Sequence, residues 1–229
     1  MDLSVIIPCY NEDSRGNFAD RLGRVSNFLN GSGLSYEVIL VNDGSIDNTQ
    51  RTITNACHVL KNFNSICLSE NKGKGYAIRR GIKDSHGDYI LYMDADLSTP
   101  LHYIEDFYYN DYKDCIIGNR VSGKIVENRS LIRKLTSFLS RFCTKLLLGL
   151  DIEDTQCGFK MIKSDLLRGI EFRSDKWLLD VELLMYLKKN SIKIEEYPIK
   201  WGSNLDSTLS TRKALIESFK ELIKLMRYR

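Results

Sequence analysis

Two aspartates one residue apart close the stretch Ile90–Pro100, ILYMDADLSTP, directly after an apolar run. Side chains alternate along an extended backbone, so Asp94 and Asp96 are expected on one side with Ala95 opposite. Two hard carboxylate ligands so placed can hold a divalent cation and leave positions for substrate phosphates and water. Such a cation polarises a diphosphate and stabilises it as a leaving group. Asp and Ser are equally ordinary as turn formers and helix caps. Taken alone, the pair is either a metal site or the polar end of a strand.

A second chemical signal is NKGKGYAIRRG, Asn71–Gly81. Glycines and lysines just before a helix offer backbone N–H groups, a helix N-terminus and positive charge to an anion. The GxxxxGK[ST] spacing of a P-loop is absent; the bland alternative is a glycine-rich turn with solvated lysines. Together the two segments suggest a nucleotide diphosphate and a metal without naming a reaction.

The elements that must position these residues alternate. LSVIIP (Leu3–Pro8), YEVILVN (Tyr36–Asn42), NSICLS (Asn64–Ser69), DYILYMD (Asp88–Asp94) and DCIIGN (Asp114–Asn119) are near-continuous apolar strands, the pattern of a sheet buried on both faces. Helical candidates lie between them, near 15–30, 48–60, 74–85 and 100–110. The alternation predicts an α/β fold with a doubly wound, mostly parallel sheet, whose ligands bind at the carboxyl ends of the strands. Glu12, Asp43, Asp47, Asp94 and Asp96 all sit at such ends; Asp47, in SIDNT, reads equally as a helix cap. In the second half, a helix over 129–149, a short strand at 157–162, a helix over 177–189, a strand in IKIEEYPIKW and a final helix over 211–226 are expected. No linker rich in Gly, Pro or Ser divides the chain, so a single domain over 1–210 is predicted, followed by a basic amphipathic segment at 211–229.

Composition narrows the classes. Of 229 residues, 43% are hydrophobic and 28% charged, as in soluble globular proteins. No apolar run reaches the ~18 residues of a membrane span, and MDLSVIIPCYNE has neither the basic start nor the cleavage site of a secretory signal. The six cysteines are scattered without a C-x-x-C pair, which suits free thiols in a reducing compartment and disfavours zinc. A cytoplasmic location is therefore expected. A net charge of +3 is too small for bulk nucleic-acid affinity, so no nucleic-acid partner is expected. Basic residues concentrate at Arg129–Lys145 and in the tail, where Leu215, Phe219, Leu222 and Met226 form one apolar face with Lys213, Lys220, Lys224 and Arg227 largely beside it. Such a helix either lies on an anionic membrane surface or packs on the domain.

VIIPCYNE, ILVNDGSIDNT, NKGKGYAIRRG, YMDADLS, GNR and DTQCGFK occur in the order and spacing of family 2 glycosyltransferases of GT-A fold. With WLLDVELL and IKIEEYPIKW, the chain resembles the polyprenyl-phosphate branch, dolichyl-phosphate β-glucosyltransferases first and dolichyl-phosphate mannose synthases more distantly, over roughly residues 3–201. The resemblance implies that Pro8, Tyr10, Asn11 and Glu12 frame the nucleotide pocket, that Asp43 accepts a hydrogen bond from the base, and that Lys72 and Lys74 lie near base, ribose or diphosphate. It makes Asp96 the principal ligand of Mg²⁺ or Mn²⁺ and puts Asp94 against ribose or metal. Arg120, Arg133 and Ser137 match positions that hold an acceptor phosphate, and Asp154 falls where inverting members place a general base. Trp177 and Asp180–Glu182 match a segment typical of the glucosyl branch.

A phosphate monoester, with a second pKa of about 6, already carries a nucleophilic oxyanion at neutral pH. It needs cationic clamps such as Arg120, Arg129 and Arg133 more than it needs a base. A sugar hydroxyl must instead be deprotonated. Asp154 is thus either the base or a positioning group. Two positions depart from the family pattern: Asn42 stands for the first aspartate of Asp-Asp-Gly-Ser, and Thr208 for a lysine that reaches the donor diphosphate, with Arg212 or Lys213 as substitutes. The resulting expectation is an inverting, metal-dependent hexosyltransferase, with UDP-glucose as first-choice donor and polyprenyl phosphate as first-choice acceptor, peripheral on the cytoplasmic face of a membrane. Its alternatives are a glycan hydroxyl acceptor and a catalytically degenerate nucleotide-sugar binder.

Overall fold

The computed structural model describes residues 1–111, 114–122, 149–176 and 178–202. Alternating strands and helices run β1 (Leu3–Cys9), α1 (Phe18–Gly31), β2 (Tyr36–Asn42), α2 (Thr49–Val59), β3 (Phe63–Cys67), α3 (Lys74–Lys83), β4 (Tyr89–Met93), α4 (Tyr103–Tyr108), β5 (Cys115–Asn119), β6 (Phe159–Lys163), α5 (Leu179–Lys189) and β7 (Ile194–Pro198). The expected helix over 129–149, the 211–226 helix, Arg129, Arg133, Ser137, Trp177, Thr208, Arg212 and Lys213 lie outside the described residues.

The strands form one seven-stranded sheet in the order β3-β2-β1-β4-β6-β5-β7. β1 pairs in parallel with β2 and β4, β2 with β3, and β5 with β7. Only β6 is reversed, antiparallel to both β4 and β5. The sheet is doubly wound, because strand alternation sends side chains into two cores. Leu3, Val5 and Ile7 point into one, which α1, α2 and α4 cover through Phe18, Leu22, Val25, Leu29, Ile53, Ile104 and Phe107. Ile6, Ile39 and Val41 point into the other, covered by Ala77 and Ile78 of α3 and by Val181, Leu184 and Leu187 of α5. The 4-3-4 spacing of Phe18, Leu22, Val25 and Leu29 is what gives α1 one apolar stripe.

Two expectations are corrected. β3 is an edge strand in which only Phe63 is buried, and no residue of β7 is fully buried, so the sheet is covered on both faces only at its centre. The strand predicted from 157 starts at Phe159 and runs against its neighbours, which periodicity does not report. Its reversal matters: Phe159 lies opposite Met93, so the loop entering β6 arrives at the carboxyl ends of β4 and β5.

Candidate active site

The donor side is built from the tips of β1 and β2. Asn11 adopts a left-handed φ of 52°, its N–H donating to Ser45 Oγ (3.0 Å) while its Oδ1 accepts from Ile46 N (2.9 Å). These bonds tie the Pro8–Glu12 tip to the Asn42–Asp47 loop and leave Tyr10 39% exposed beside it. Glu12 is buried; its N–H donates to Thr49 Oγ1 (2.8 Å), and its carboxylate is held by Arg15 (2.9 Å) and Arg21 (3.2 Å). Burial, only partly offset by the two arginines and aided by the charge of Asp96, raises its pKa.

Asp43 is buried and accepts two backbone N–H bonds, from Lys72 at Oδ1 (2.8 Å) and Gly73 at Oδ2 (2.9 Å). It therefore fixes the glycine-rich segment, and each oxygen keeps one further acceptor site for a ligand. Gly44, at φ 66°, lets the loop pass so close to Glu70 that a Cβ would strike its backbone. Asp47 accepts from Thr49 N within its own loop and from Ser14 N across to the neighbouring one, which makes it a turn anchor. Asn42 accepts from Ser45 at Oδ1 and donates to Gln50 Oε1 (2.7 Å), so its departure from aspartate is satisfied inside the loop.

The alternation argument for Asp94 and Asp96 does not hold as stated. β4 ends at Met93, and Asp94–Leu97 is a turn in which Leu97, at φ 53°, donates to the Asp94 carbonyl (3.4 Å). The turn aims the two carboxylates at different neighbours. Asp94 Oδ1 receives the Lys74 ammonium (2.5 Å), while Gly158 lies so close to Oδ2 that any side chain there would overlap it. Asp96 Oδ1 accepts from Ser98 N (2.9 Å), and its charge is felt by Glu12. Burial weighs against the Lys74 charge, but Asp94 and Asp180 outweigh it and its pKa is raised.

Among the described residues no three His, Cys, Asp or Glu side chains converge as a self-sufficient metal cage. Two carboxylates are nevertheless what Mg²⁺ or Mn²⁺ uses when substrate phosphates complete the shell. Ser98 Oγ, buried without a hydrogen-bond partner two residues beyond Asp96, is a further oxygen in the same turn. This donor set of hard oxygens fits such an ion.

The residues expected to meet the acceptor lie at the end of β5 and in the loop before β6. Asp154, 7% exposed, grips Arg120 with both oxygens: Nε to Oδ2 (2.7 Å), Nη2 to Oδ1 (2.8 Å), and Arg120 backbone N to Oδ2 (3.0 Å). Burial opposes the charge of Asp154, but the hydrogen bonds and charge of Arg120 win and its pKa is lowered. Burial likewise opposes the charge of Arg120, and Asp154 reverses that, raising its pKa. The guanidinium also lies 5.4 Å from the centre of the Trp201 ring. Asn119 caps the GNR turn, its Oδ1 accepting from Val121 N and Ser122 N.

Three groups here escaped the sequence reading. Glu196 of β7 accepts from Glu153 N (2.9 Å) and Asp154 N (3.1 Å), and burial raises its pKa. Lys160, in the middle of β6, is fully buried; its ammonium contacts Asp180 Oδ1 and the Cys157 carbonyl, both at 2.5 Å. Tyr92 OH donates to the same Asp180 oxygen (2.6 Å). A lysine inside the apolar run GFKMI was the available signal. The Asp180–Glu182 segment, noted from resemblance, is scaffolding: Glu182 accepts from Arg173 N and Ser174 N, ordering the segment whose Asp175 carbonyl accepts from Tyr76 N in α3.

A doubly wound sheet with carboxylates and cations interleaved at its carboxyl end is the architecture of the GT-A fold, and residues 4–170 match glycosyl transferase family 2, to which the chain belongs. It is similar to a dolichyl-phosphate beta-glucosyltransferase of Dictyostelium discoideum, 32% identical over 97% of this chain and 73% of the relative. A dolichol-phosphate mannosyltransferase of Pyrococcus furiosus is 31% identical, with 100% of this chain and 64% of that one aligned. Among solved structures, glucosyl-3-phosphoglycerate synthase from Mycobacterium tuberculosis, in complex with Mn²⁺, UDP and glucosyl-3-phosphoglycerate, superposes with a TM-score of 0.73 at 15% identity, over 98% of this chain and 79% of that one. Staphylococcus aureus TarS 1-349 gives 0.64 at 21% identity, over 99% and 64%. The chain is a glycosyltransferase.

Proposed function

We propose that the chain transfers a hexose, glucose from UDP-glucose in the first instance, to a polyprenyl phosphate with inversion at the anomeric carbon. The observation that carries this reading is the Arg120–Asp154 clamp. A general base works best with a pKa near the operating pH. Asp154 is held below the ordinary carboxylate range and both its oxygens are engaged by one guanidinium. That suits a group that aims Arg120 rather than one that takes a proton from a sugar hydroxyl. A phosphate acceptor needs no proton removed: its oxyanion attacks C1, the bond from C1 to the diphosphate oxygen breaks, and UDP departs with the electron pair. Arg120 is placed to neutralise such an acceptor, together with Arg133 and Ser137 in the family pattern.

On the donor side, Asn11, Asp43 and the 42–47 loop would receive the nucleotide, and Lys72 and Lys74 the diphosphate. Asp96 and Asp94 would hold Mg²⁺ or Mn²⁺, which when bound offsets charge on the departing diphosphate. The relatives' printed activities, dolichyl-phosphate glucosyl transfer and dolichol-phosphate mannosyl transfer, support the acceptor class. No helix among the described residues is long and apolar enough to cross a membrane. Access to a lipid acceptor would then come through peripheral contact with the cytoplasmic face, for which the 211–229 segment is the candidate.

The test is incubation with labelled UDP-glucose, Mn²⁺ and a short polyprenyl phosphate. Lipid-extractable label is expected. Label passing only to a glycan hydroxyl would overturn the lipid acceptor, and UDP binding without turnover on any acceptor would make the chain a binder.

A further inference from the structure

We infer that Lys160 is a positioning residue that sets the distance between the donor and acceptor halves of the site. The inference rests on the reading of Asp94 and Arg120 given above. Lys160 lies opposite Tyr92 of β4 and Ile117 of β5, at the centre of the sheet and without solvent exposure. Its ammonium is 5.5 Å from the centre of the Tyr92 ring, and its two polar contacts divide in function. Asp180 answers the charge. The Cys157 carbonyl, in contrast, belongs to the turn between Asp154 and β6, where Cys157 N donates to the Asp154 carbonyl (3.5 Å).

That turn touches both halves of the site. At its start, Asp154 clasps Arg120; at its end, Gly158 leaves the space that the Asp94 carboxylate occupies, and Asp94 in turn holds Lys74. Between them, the Cys157 carbonyl accepts from Lys160, which together with the Glu196 bonds to Glu153 N and Asp154 N fastens the loop to the sheet. Electrostatics runs the same way: the charge of Lys160 acts on Asp154, and that of Asp180 on Lys74. Fold stability alone gives no reason for a lysine here, because apolar residues of similar volume commonly replace a buried ion pair without loss.

That last point supplies the experiment. The triple variant Lys160→Met, Asp180→Leu, Tyr92→Phe removes both charges and the hydroxyl of the network and leaves only the Cys157 carbonyl without its donor. Its melting temperature is expected near that of the unaltered protein, while UDP–Mn²⁺ titrated calorimetrically binds about 5-fold more weakly and the polyprenyl-phosphate KM rises about 10-fold. Lys160→Arg, which keeps charge and donors, is expected to hold both quantities within about 3-fold and serves if the triple variant does not fold. A folded triple variant with affinity and KM both unchanged would overturn the inference, as would Lys160→Arg failing in both while fully folded. The UDP–Mn²⁺ titration involves no acceptor. Loss of that affinity, with no lipid transfer by the unaltered protein, would sink the acceptor reading and confine the role of Lys160 to the donor half.

Discussion

Asp43 and Asp154 are both buried loop carboxylates, held in different ways. Asp43, and with it the half-buried Asp47, is answered by backbone N–H groups of Lys72, Gly73, Ser14 and Thr49, while neighbouring Glu12 is held by Arg15 and Arg21. On the acceptor side, Asp154 and Asp180 are answered by the side-chain cations Arg120 and Lys160. A carboxylate bound to backbone amides fixes the shape of a loop, keeps its charge, and offers a ligand its free lone pairs. A carboxylate bound to an arginine fixes the direction of a cation, and the cation keeps unused donors. The Asp43 loop is therefore held in shape and Arg120 is held in direction, which is what the proposed nucleotide and the proposed acceptor phosphate respectively require.

The comparison can be broken from either side. Arg120→Ala should have the largest effect, because it strands Asp154 in the interior. A stability loss of about 3 kcal/mol or more, read by denaturant unfolding, should accompany near-complete loss of transfer. Survival of acceptor KM in that variant would show that the clamp does not hold the acceptor. Asp43→Asn comes next. Its amide sets a donor against one backbone N–H, which costs about 1–3 kcal/mol for an unsatisfied group. UDP affinity should fall by calorimetry while acceptor KM stays put; a shift confined to the acceptor would merge the two halves.

Glu196→Gln should have the smallest effect and sharpens the picture through pH. The Glu196 pKa is raised above its ordinary 4.5, so its protonated form is favoured in the folded state. The stability linked to it is present below that value and declines as pH rises through the folded pKa. Gln cannot titrate, so thermal melts from pH 4.5 upward should lose this decline. Asp154 has the opposite sign: its contribution persists at neutral pH and is lost only as pH falls below the ordinary 3.8. An unchanged pH slope in the Gln variant would show that Glu196 is not strained by its site.

The donor half was largely legible in the sequence because its chemistry is local. Each of β1, β2 and β4 leads straight into candidate residues, and the apolar periodicity located those strands nearly to the residue. On the other side the resemblance named Arg120 and Asp154 from their motifs but not their contact. Asp154 and Arg120 are 34 residues apart, and what joins them is the reversal of β6, which no hydrophobic pattern encodes. Lys160 was missed for a related reason: a lysine within a strand reads as an exposed edge position until its partner on α5 is known. The alternation rule misled at Asp94 and Asp96 because the strand stops one residue earlier, and a turn with Leu97 at positive φ takes over.

The central claim is that Asp154 aims Arg120 at an acceptor phosphate and is not a general base. The direct measurement is the steady-state kinetics of folded Asp154→Asn with polyprenyl phosphate as the varied substrate. Loss of a general base lowers kcat by about 10²–10⁴, whereas a loosened clamp acts mainly on binding. The account predicts an acceptor KM raised about 10-fold or more with kcat within about 10-fold of the unaltered protein. A kcat reduced by about 10³ at unchanged KM would contradict it.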